Sequence, residues 1–108
     1  MSKTILQINY KFNSSRADHS ALVTPIAEAI AAVPGLVWKV WLMNEADREA
    51  GGIYLFESSE AAKGFVSSPA VKGFAAQPSL SAFSVKLFEA VESLSKITRG
   101  PLAIPIAV

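Results

Sequence analysis

The run LVWKVWLM at residues 36–43 and the run IYLF at residues 53–56 decide the fold, because both are apolar and only a short polar loop separates them. An apolar run of this length, interrupted only by Lys39, predicts a strand buried on both faces. Polar residues at positions 44–49, followed by Gly51-Gly52, supply the connection to a second strand. The centre of the chain is therefore predicted to be a β-hairpin.

Residues 4–12, before the hairpin, alternate strictly between apolar and polar side chains, which predicts a strand with one face in the core. A turn at residues 13–15 leads into an amphipathic helix, which Pro34-Gly35 closes. Pro25 lies within the helical pattern. It either opens the helix, with Thr24 as its cap, or kinks it.

Helical and strand patterns also follow the hairpin. Ser58 or Ser59 is placed to cap a helix, and Ser68-Pro69 ends that helix and begins a second helical piece reaching Ala76. Residues 80–91 alternate again and predict a last strand. The whole order is β-α-β-β-α-β, the ferredoxin-like arrangement, which is an α+β fold with a four-stranded antiparallel sheet.

The apolar content of the chain indicates self-association. Hydrophobic residues make up 51% of 108 residues, and a domain this small has little interior in which to bury them. Since the helices of this fold cover one face of the sheet, we expect the other face to meet a second copy in a dimeric α+β barrel. We assign residues 1–99 to this domain. Residues 100–108 form an apolar C-terminal arm, which we expect to lie along the partner subunit.

Composition argues against several functional classes. Ten basic and nine acidic residues give a net charge of +1, without a run of like charge that would attract nucleic acid or an anionic membrane. The sequence has no cysteine and one histidine, which leaves no basis for disulfides or a metal cluster. We see neither a membrane-spanning run of ~18 apolar residues nor the apolar run of a signal peptide, so we expect a cytoplasmic protein.

Two short motifs, KGFV at residues 63–66 and KGFA at residues 72–75, resemble the basic-glycine-aromatic signature of RNA-recognition modules. In those modules the signature lies on the third strand, where its aromatic rings stack on bases. Here both copies fall in the second helical region. We therefore expect no nucleic-acid partner.

Trp38, Trp41 and Tyr54 are candidate walls of a small-molecule pocket. The two tryptophans are three residues apart in one strand, so their side chains should point to opposite faces, one toward the helices and one toward the partner. Core packing alone would account for either indole. The functional interpretation is that one of them and Tyr54 enclose a ligand that hydrogen-bonds their polar atoms.

Three polar residues and a glycine pair are further candidates. His19, expected to be exposed at the start of the first helix, titrates near neutral pH and is a candidate general base. Asn9 is placed to hydrogen-bond a ligand oxygen or a partner subunit. Lys39 either reaches solvent at a sheet edge or, if desolvated, has a lowered pKa and polarises an anionic intermediate. Gly51-Gly52 provide either positive φ or a bulge before the strand that follows, or close approach of the backbone to a ligand.

The segments LVWKVW at residues 36–41 and EAGGIYLF at residues 49–56 together resemble the characteristic segment of the YdhR-type mono-oxygenases. LQINYKFN at residues 6–13 and LSKI at residues 94–97 are similar to that family as well. The resemblance implies a dimeric α+β barrel, shared with antibiotic-biosynthesis mono-oxygenases. Those relatives oxidise polycyclic aromatic phenols with molecular oxygen and without a cofactor.

The resemblance carries over to Trp38, Trp41 and Tyr54, which match candidate pocket aromatics of the family. Heme-degrading relatives use an asparagine, a tryptophan and a helix-borne histidine, but the one histidine here opens a different helix. We therefore expect a cofactor-independent mono-oxygenase that acts on a phenol or quinol between sheet and helices; a non-catalytic small-molecule-binding homodimer is the alternative. The candidates are Tyr54 and His19 for catalysis, and Trp38, Trp41, Asn9 and Lys39 for substrate binding, with no metal.

Overall fold

A computed structural model describes residues 3–103 of the chain. Its four strands form one antiparallel sheet in the order β2-β3-β1-β4. The strands are β1 (Thr4–Phe12), β2 (Leu36–Asn44), β3 (Glu49–Phe56) and β4 (Leu80–Glu89). The helices are α1 (Arg16–Ala31), α2 (Ser59–Val66), α3 (Pro69–Ala75) and α4 (Glu92–Ile97). The predicted ferredoxin-like α+β fold is confirmed, and α4 is an addition that the sequence patterns did not predict.

The apolar face of β1 is the centre of the core. Its side chains Leu6, Ile8, Tyr10 and Phe12 are at most 7% exposed, as their strict alternation predicts. They divide into two clusters, one with aromatic residues of β3 and α2, the other with the start of β4. Ile8 and Tyr10, one from each cluster, also border the cavity described below.

Serine hydroxyls cap the three helices that cover this face. Ser15, Ser58 and Ser68 each accept a hydrogen bond from a backbone N–H in the first turn of the following helix. Because Ser15 caps α1, Pro25 lies in the interior of that helix. The alternative in which Thr24 caps a helix beginning at Pro25 is therefore wrong.

The strand β2 is not buried on both faces, contrary to the prediction from its apolar run. It is an edge strand, paired only with β3, and its residues Val40 and Trp41 are 52% and 40% exposed. Val40 lies on the sheet face turned away from α1, α2 and α3, and Trp41 lies beside a cavity rather than against packed side chains. The apolar run of β2 therefore contains more apolar side chains than this chain buries by itself.

The sheet face turned away from α1, α2 and α3, the open face, is apolar at one end and polar at the other. At the apolar end, one row of directly opposite residues crosses all four strands: Trp38, Leu55, Ile5 and Phe88. At the polar end, the amide of Asn9 donates to the Glu49 carboxylate at 3.2 Å and accepts from Gln7 at 3.3 Å.

The chain after α4 crosses back to the apolar end of the open face. The indole Nε1 of Trp38 donates a hydrogen bond to the Pro101 carbonyl oxygen at 2.8 Å. Since β4 and β2 are opposite edges of the sheet, this bond brings residues beyond α4 to the far edge; Leu55, which pairs with Trp38 from the neighbouring strand β3, is fully buried. Residues 104–108 of the predicted arm lie outside the described residues, so its course along a partner stays a prediction.

Two further sequence inferences concern the helices. Both KGF motifs lie in α2 and α3 rather than on the sheet, and Phe65 of the first motif is buried in the core. Within residues 3–103, no helix has both the length and the apolar character needed to cross a membrane.

Gly51 and Gly52 lie inside β3 and keep its centre free of side chains. A Cβ atom on Gly51 would overlap the carbonyl oxygen of Ile8 and lie 2.9 Å from the Cα of Asn9. Neither the bulge nor the ligand contact predicted for this pair accounts for Gly51, because what approaches it is the backbone of β1. Close pairing of the two central strands therefore requires glycine here.

Replacing Gly51 with Ala should destabilise the fold by at least about 2 kcal/mol and lower Tm by roughly 10 °C, because backbone atoms of β1 would have to move. Gly64→Ala is the matched control. Its Cβ would meet nothing within 4 Å, and alanine is favoured over glycine inside a helix by about 1 kcal/mol. Thermal unfolding followed by circular dichroism compares them; equal Tm values for the two variants would contradict the argument.

Candidate functional site

An apolar cavity of about 130 Å³ lies between the sheet and the helices that cover it. This volume is close to that of a protein cavity known to bind benzene, so the space suits one aromatic ring. Its walls come from α1, α2, α3 and the helix-facing side of the sheet: Val23, Ile26, Ile30, Phe65, Ala70, Val71, Phe74, Ala75, Ile8, Tyr10, Lys39, Trp41, Gly51, Tyr54, Phe83 and Val85.

The cavity exists because two elements withhold side chains from this region. The apolar residues of α1 that face it, Val23, Ile26 and Ile30, are only half-buried, so this helix roofs the space rather than filling it. Below them, Gly52 of β3 pairs with Ile8 of β1 on one side and with Trp41 of β2 on the other. Because Gly52 has no side chain, the space between Ile8 and Trp41 is left unfilled. The result is a shallow depression in the sheet.

The Lys39 side chain lies in this depression. Its Nζ is 3.2 Å from the centroid of the Trp41 ring and 4.5 Å from the centroid of the Tyr54 ring, which are cation–π distances. A Cβ atom on Gly52 would lie only 2.5 Å from the Lys39 Cε, so this path across the sheet depends on the glycine. Of the two alternatives for Lys39, the structure supports the desolvated one, and burial lowers its pKa to about 7.

Two polar groups at the cavity wall lack a protein partner. Within residues 3–103, the Lys39 amine has neither a carboxylate nor a hydrogen-bond acceptor, and the Tyr54 hydroxyl makes no hydrogen bond. Burial, with a smaller contribution from nearby Tyr10, raises the pKa of Tyr54, so its hydroxyl stays protonated at neutral pH. No fully buried side-chain nitrogen or oxygen in that range is left unpaired, so both groups keep some contact with solvent.

A second polar pair, Tyr10 and His19, lies at one end of the cavity. The Tyr10 hydroxyl is 2.7 Å from the His19 Nε2, and the Tyr10 ring stacks on Phe83 with centroids 5.1 Å apart. Burial raises the pKa of Tyr10 to about 12 and lowers that of His19, so both groups are neutral near pH 7. Sequence reasoning placed Tyr10 in the core and missed it as a cavity residue.

The expectation that His19 is exposed is wrong, because this side chain is only 5% exposed. The first turn of α1 lies over the end of β1, and the imidazole ring packs against Phe12 with centroids 4.9 Å apart as well as against Tyr10. His19 does not line the cavity itself. It reaches the cavity only through the Tyr10 hydroxyl.

The remaining candidates are divided between the two faces of the sheet. Trp38 and Trp41 point to opposite faces, as their spacing predicts, and Trp41 is the one beside the cavity. Trp38 lies on the open face with its indole nitrogen bound to Pro101. Asn9 also lies on the open face, bound to Glu49. The structure therefore brings Lys39, Trp41 and Tyr54 together and leaves Trp38 and Asn9 on the other side.

This arrangement suits a flat aromatic molecule that carries one negatively charged or strongly polar oxygen. The ring would lie among apolar walls, and the oxygen would meet the Lys39 ammonium and the Tyr54 hydroxyl. Both electrostatic interactions are stronger in a site from which water is excluded. Within residues 3–103, no group of three or more acidic, histidine or cysteine side chains is placed to hold a metal ion.

One family model matches the chain, described as "Putative mono-oxygenase ydhR", over residues 5–101. No curated protein is similar enough in sequence to count as a match.

Solved structures match the fold at low sequence identity. The cofactor-independent oxygenase SnoaB from Streptomyces nogalater is 18% identical, with a TM-score of 0.67 over 83% of this chain and 94% of that one. The monooxygenase from the gene ActVA-Orf6 of Streptomyces coelicolor, in complex with Nanaomycin D, is 13% identical, with a TM-score of 0.63 over 82% and 88%. The heme-degrader MhuD from Mycobacterium tuberculosis, with two hemes in its active site, is 20% identical, with a TM-score of 0.62 over 81% and 95%.

Replacing Lys39 with Met should stabilise the fold at pH 6 and much less at pH 10. Because the folded-state pKa is about 7 against an ordinary 10.5, the folded chain binds fewer protons than the unfolded chain between these values. The stability of the unmodified protein therefore rises with pH across that window, and its disadvantage relative to the variant shrinks.

Thermal unfolding at pH 6, 8 and 10 measures this effect. Lys72→Met, on the exposed side of α3, is the control and should change Tm by a similar small amount at each pH. A Tm difference between Lys39→Met and the unmodified protein that does not vary with pH would show that Lys39 is not desolvated.

Proposed function

Because the chain belongs to the ydhR mono-oxygenase family, we propose that it oxygenates a phenol or hydroquinone with molecular oxygen, in the apolar cavity and without a cofactor. The observation that carries the proposal is an unpaired ammonium held over the rings of Trp41 and Tyr54 at the wall of a ring-sized apolar cavity. Similarity in fold to SnoaB, a cofactor-independent oxygenase, and to the ActVA-Orf6 monooxygenase in complex with Nanaomycin D supports it.

In the proposed complex, the substrate ring lies beside Trp41 and its oxygen lies at Lys39. The Lys39 ammonium favours the phenolate over the phenol, because an opposite charge in a site of low dielectric constant lowers the pKa of the substrate. The Tyr54 hydroxyl donates a second hydrogen bond to the same oxygen. An ionised, electron-rich ring is the form that reduces molecular oxygen.

The proposed reaction needs no electron source besides the substrate. The phenolate gives one electron to molecular oxygen, and the resulting radical and superoxide combine to form a C–O bond at a ring carbon. The peroxide then loses water as its O–O bond and the C–H bond at that carbon break, which leaves a quinone. One oxygen atom enters the product and the other leaves as water, which is the balance of a mono-oxygenase.

The remaining candidate residues have smaller parts in this proposal. His19 acts through Tyr10, whose hydroxyl it contacts, and accepts a substrate proton only if that hydroxyl relays it. Trp38 and Asn9 lie on the open face and do not contact a ligand in the cavity of the same subunit. The proposal assigns no role to heme, because the cavity volume matches a single ring and the His19 Nε2 contacts the Tyr10 hydroxyl.

Oxygen consumption with a panel of monocyclic hydroquinones and acidic phenols should identify substrates of the protein, and labelled oxygen gas should place one labelled atom in the product. Lys39→Met should lower kcat/KM by about 100-fold, the usual loss when one charge-stabilising donor is removed. Tyr54→Phe keeps the ring and removes the hydroxyl, so its rate isolates the contribution of that hydrogen bond.

Lys72→Met, on the exposed side of α3 and not itself a wall residue, serves as the control and should keep full activity. If ligands quench tryptophan fluorescence but consume no oxygen, the oxygenase proposal fails and the alternative, a non-catalytic small-molecule-binding homodimer, takes its place.

We also propose that the protein works as a homodimer joined through the open face. On this face Val40 and Phe88 are 52% and 46% exposed, and elsewhere on the surface Leu94 and Ile97 of α4 are 65% and 75% exposed. Apolar side chains so exposed on a small domain favour an interface with a second copy.

Sedimentation at micromolar concentration should give a mass of about 23 kDa, twice the 11.5 kDa of the chain. Val40→Lys should shift the equilibrium toward monomer, because a charge would enter the apolar interface; the residue is half-exposed, so the subunit fold should survive. Lys72→Asp, on α3, is the matched charge-changing control. A monomeric unmodified protein would contradict the proposal.

A further inference from the structure

We propose that Lys39 is a carbonyl-binding residue, which forms an imine with small aromatic aldehydes that enter the cavity. This reactivity is independent of oxygenation, since it needs only an accessible amine and a ring-sized apolar site beside it. It would make the protein a covalent binder of aromatic carbonyl compounds at the site where the oxygenase proposal places its phenol.

The first support is the position of the amine. The Lys39 Nζ lies at the wall of a cavity of about 130 Å³, 3.2 Å from the Trp41 ring centroid. An aldehyde whose ring occupies the cavity therefore has its carbonyl carbon beside the nucleophile. Such positioning is what raises the rate of addition over that of a freely diffusing pair.

The second support is that the amine is not engaged. In residues 3–103 it has no carboxylate and no hydrogen-bond acceptor, and only the faces of Trp41 and Tyr54 hold it. An ion pair would keep a lysine protonated and unreactive. Here burial lowers the pKa to about 7, so about half of the amine is the neutral nucleophile at that pH.

The third support is Tyr54, which also lines the cavity and whose hydroxyl has no hydrogen-bond partner within residues 3–103. Addition forms a C–N bond and breaks the carbonyl π bond, and the oxygen takes up the proton that the nitrogen loses, which gives a carbinolamine. Loss of water then gives the imine. Amine plus aldehyde equals imine plus water, without any redox change, and the proposal gives the Tyr54 hydroxyl the role of hydrogen-bond donor to the departing oxygen.

Benzaldehyde with sodium cyanoborohydride at pH 7 tests the proposal, because hydride reduces the imine to a stable secondary amine. Mass spectrometry of the intact chain and of its peptides then counts and locates the adducts. Among the seven lysines we expect one adduct, at Lys39, forming at least about 100-fold faster than at any of the other six; the α-amino group, whose ordinary pKa is about 8, is counted separately. A tricyclic aldehyde such as 9-anthraldehyde should label Lys39 much more slowly, because the cavity suits a single ring.

Two variants test whether selective labelling depends on the position of the Lys39 amine in the cavity or only on the presence of a lysine. Gly52→Ala keeps Lys39 but places a Cβ 2.5 Å from its Cε, so the amine should leave the depression and lose its selective labelling. Lys72→Gln should leave the labelling of Lys39 unchanged. Circular dichroism of each variant confirms that it is folded.

Labelling spread over the exposed lysines, or a Lys39 rate equal to theirs in the folded protein, would overturn the proposal. Equal rates with benzaldehyde and 9-anthraldehyde would also overturn it, because the cavity would then play no part. Oxygen consumption is measured separately, so failure of the oxygenase proposal leaves this result intact and failure of this one leaves the oxygenase intact.

Discussion

The structure depends on a strip of the sheet that carries no side chains, at Gly51 and Gly52 in the middle of β3. Gly51 lets the backbone of β1 approach, which fixes the pairing of the two central strands. Gly52 leaves the depression across which the Lys39 side chain reaches the cavity. One dipeptide therefore sets both the packing of the sheet and the position of the charged group at the candidate site.

The cavity wall combines a lysine amine with apolar and aromatic side chains, a combination that lowers the stability of a protein core. An amine held between two aromatic rings without an ionic partner is destabilising in its charged form, because burial removes its hydration. The same isolation leaves the amine available to a ligand oxygen or carbonyl. Desolvation of the amine therefore both lowers the stability of the fold and raises the reactivity of the site. Such a trade-off is common where proteins bind or transform small molecules.

The sequence predicted the fold well because local patterns determined it. The alternation in β1, the serine caps and the opposite directions of Trp38 and Trp41 follow from strand and helix geometry alone. The candidate site was predicted only in part, since it depends on contacts between distant segments. Burial of His19 results from α1 lying over the end of β1, and the desolvation of Lys39 depends on Gly52 in the neighbouring strand. Neither contact leaves a periodic signal in the chain.

The lowered pKa of Lys39 also changes the electrostatics of the whole molecule. Composition gives a charge of +1 at pH 7 and an isoelectric point of about 8.0, but both assume an ordinary lysine at position 39. With its pKa near 7, this side chain carries only about half a charge at neutral pH, so folding moves the isoelectric point downward. A folded subunit with so little net charge meets almost no long-range repulsion from another copy. Burial of one side chain on the helix-facing side of the sheet thereby lowers the electrostatic cost of bringing two copies of the folded chain together.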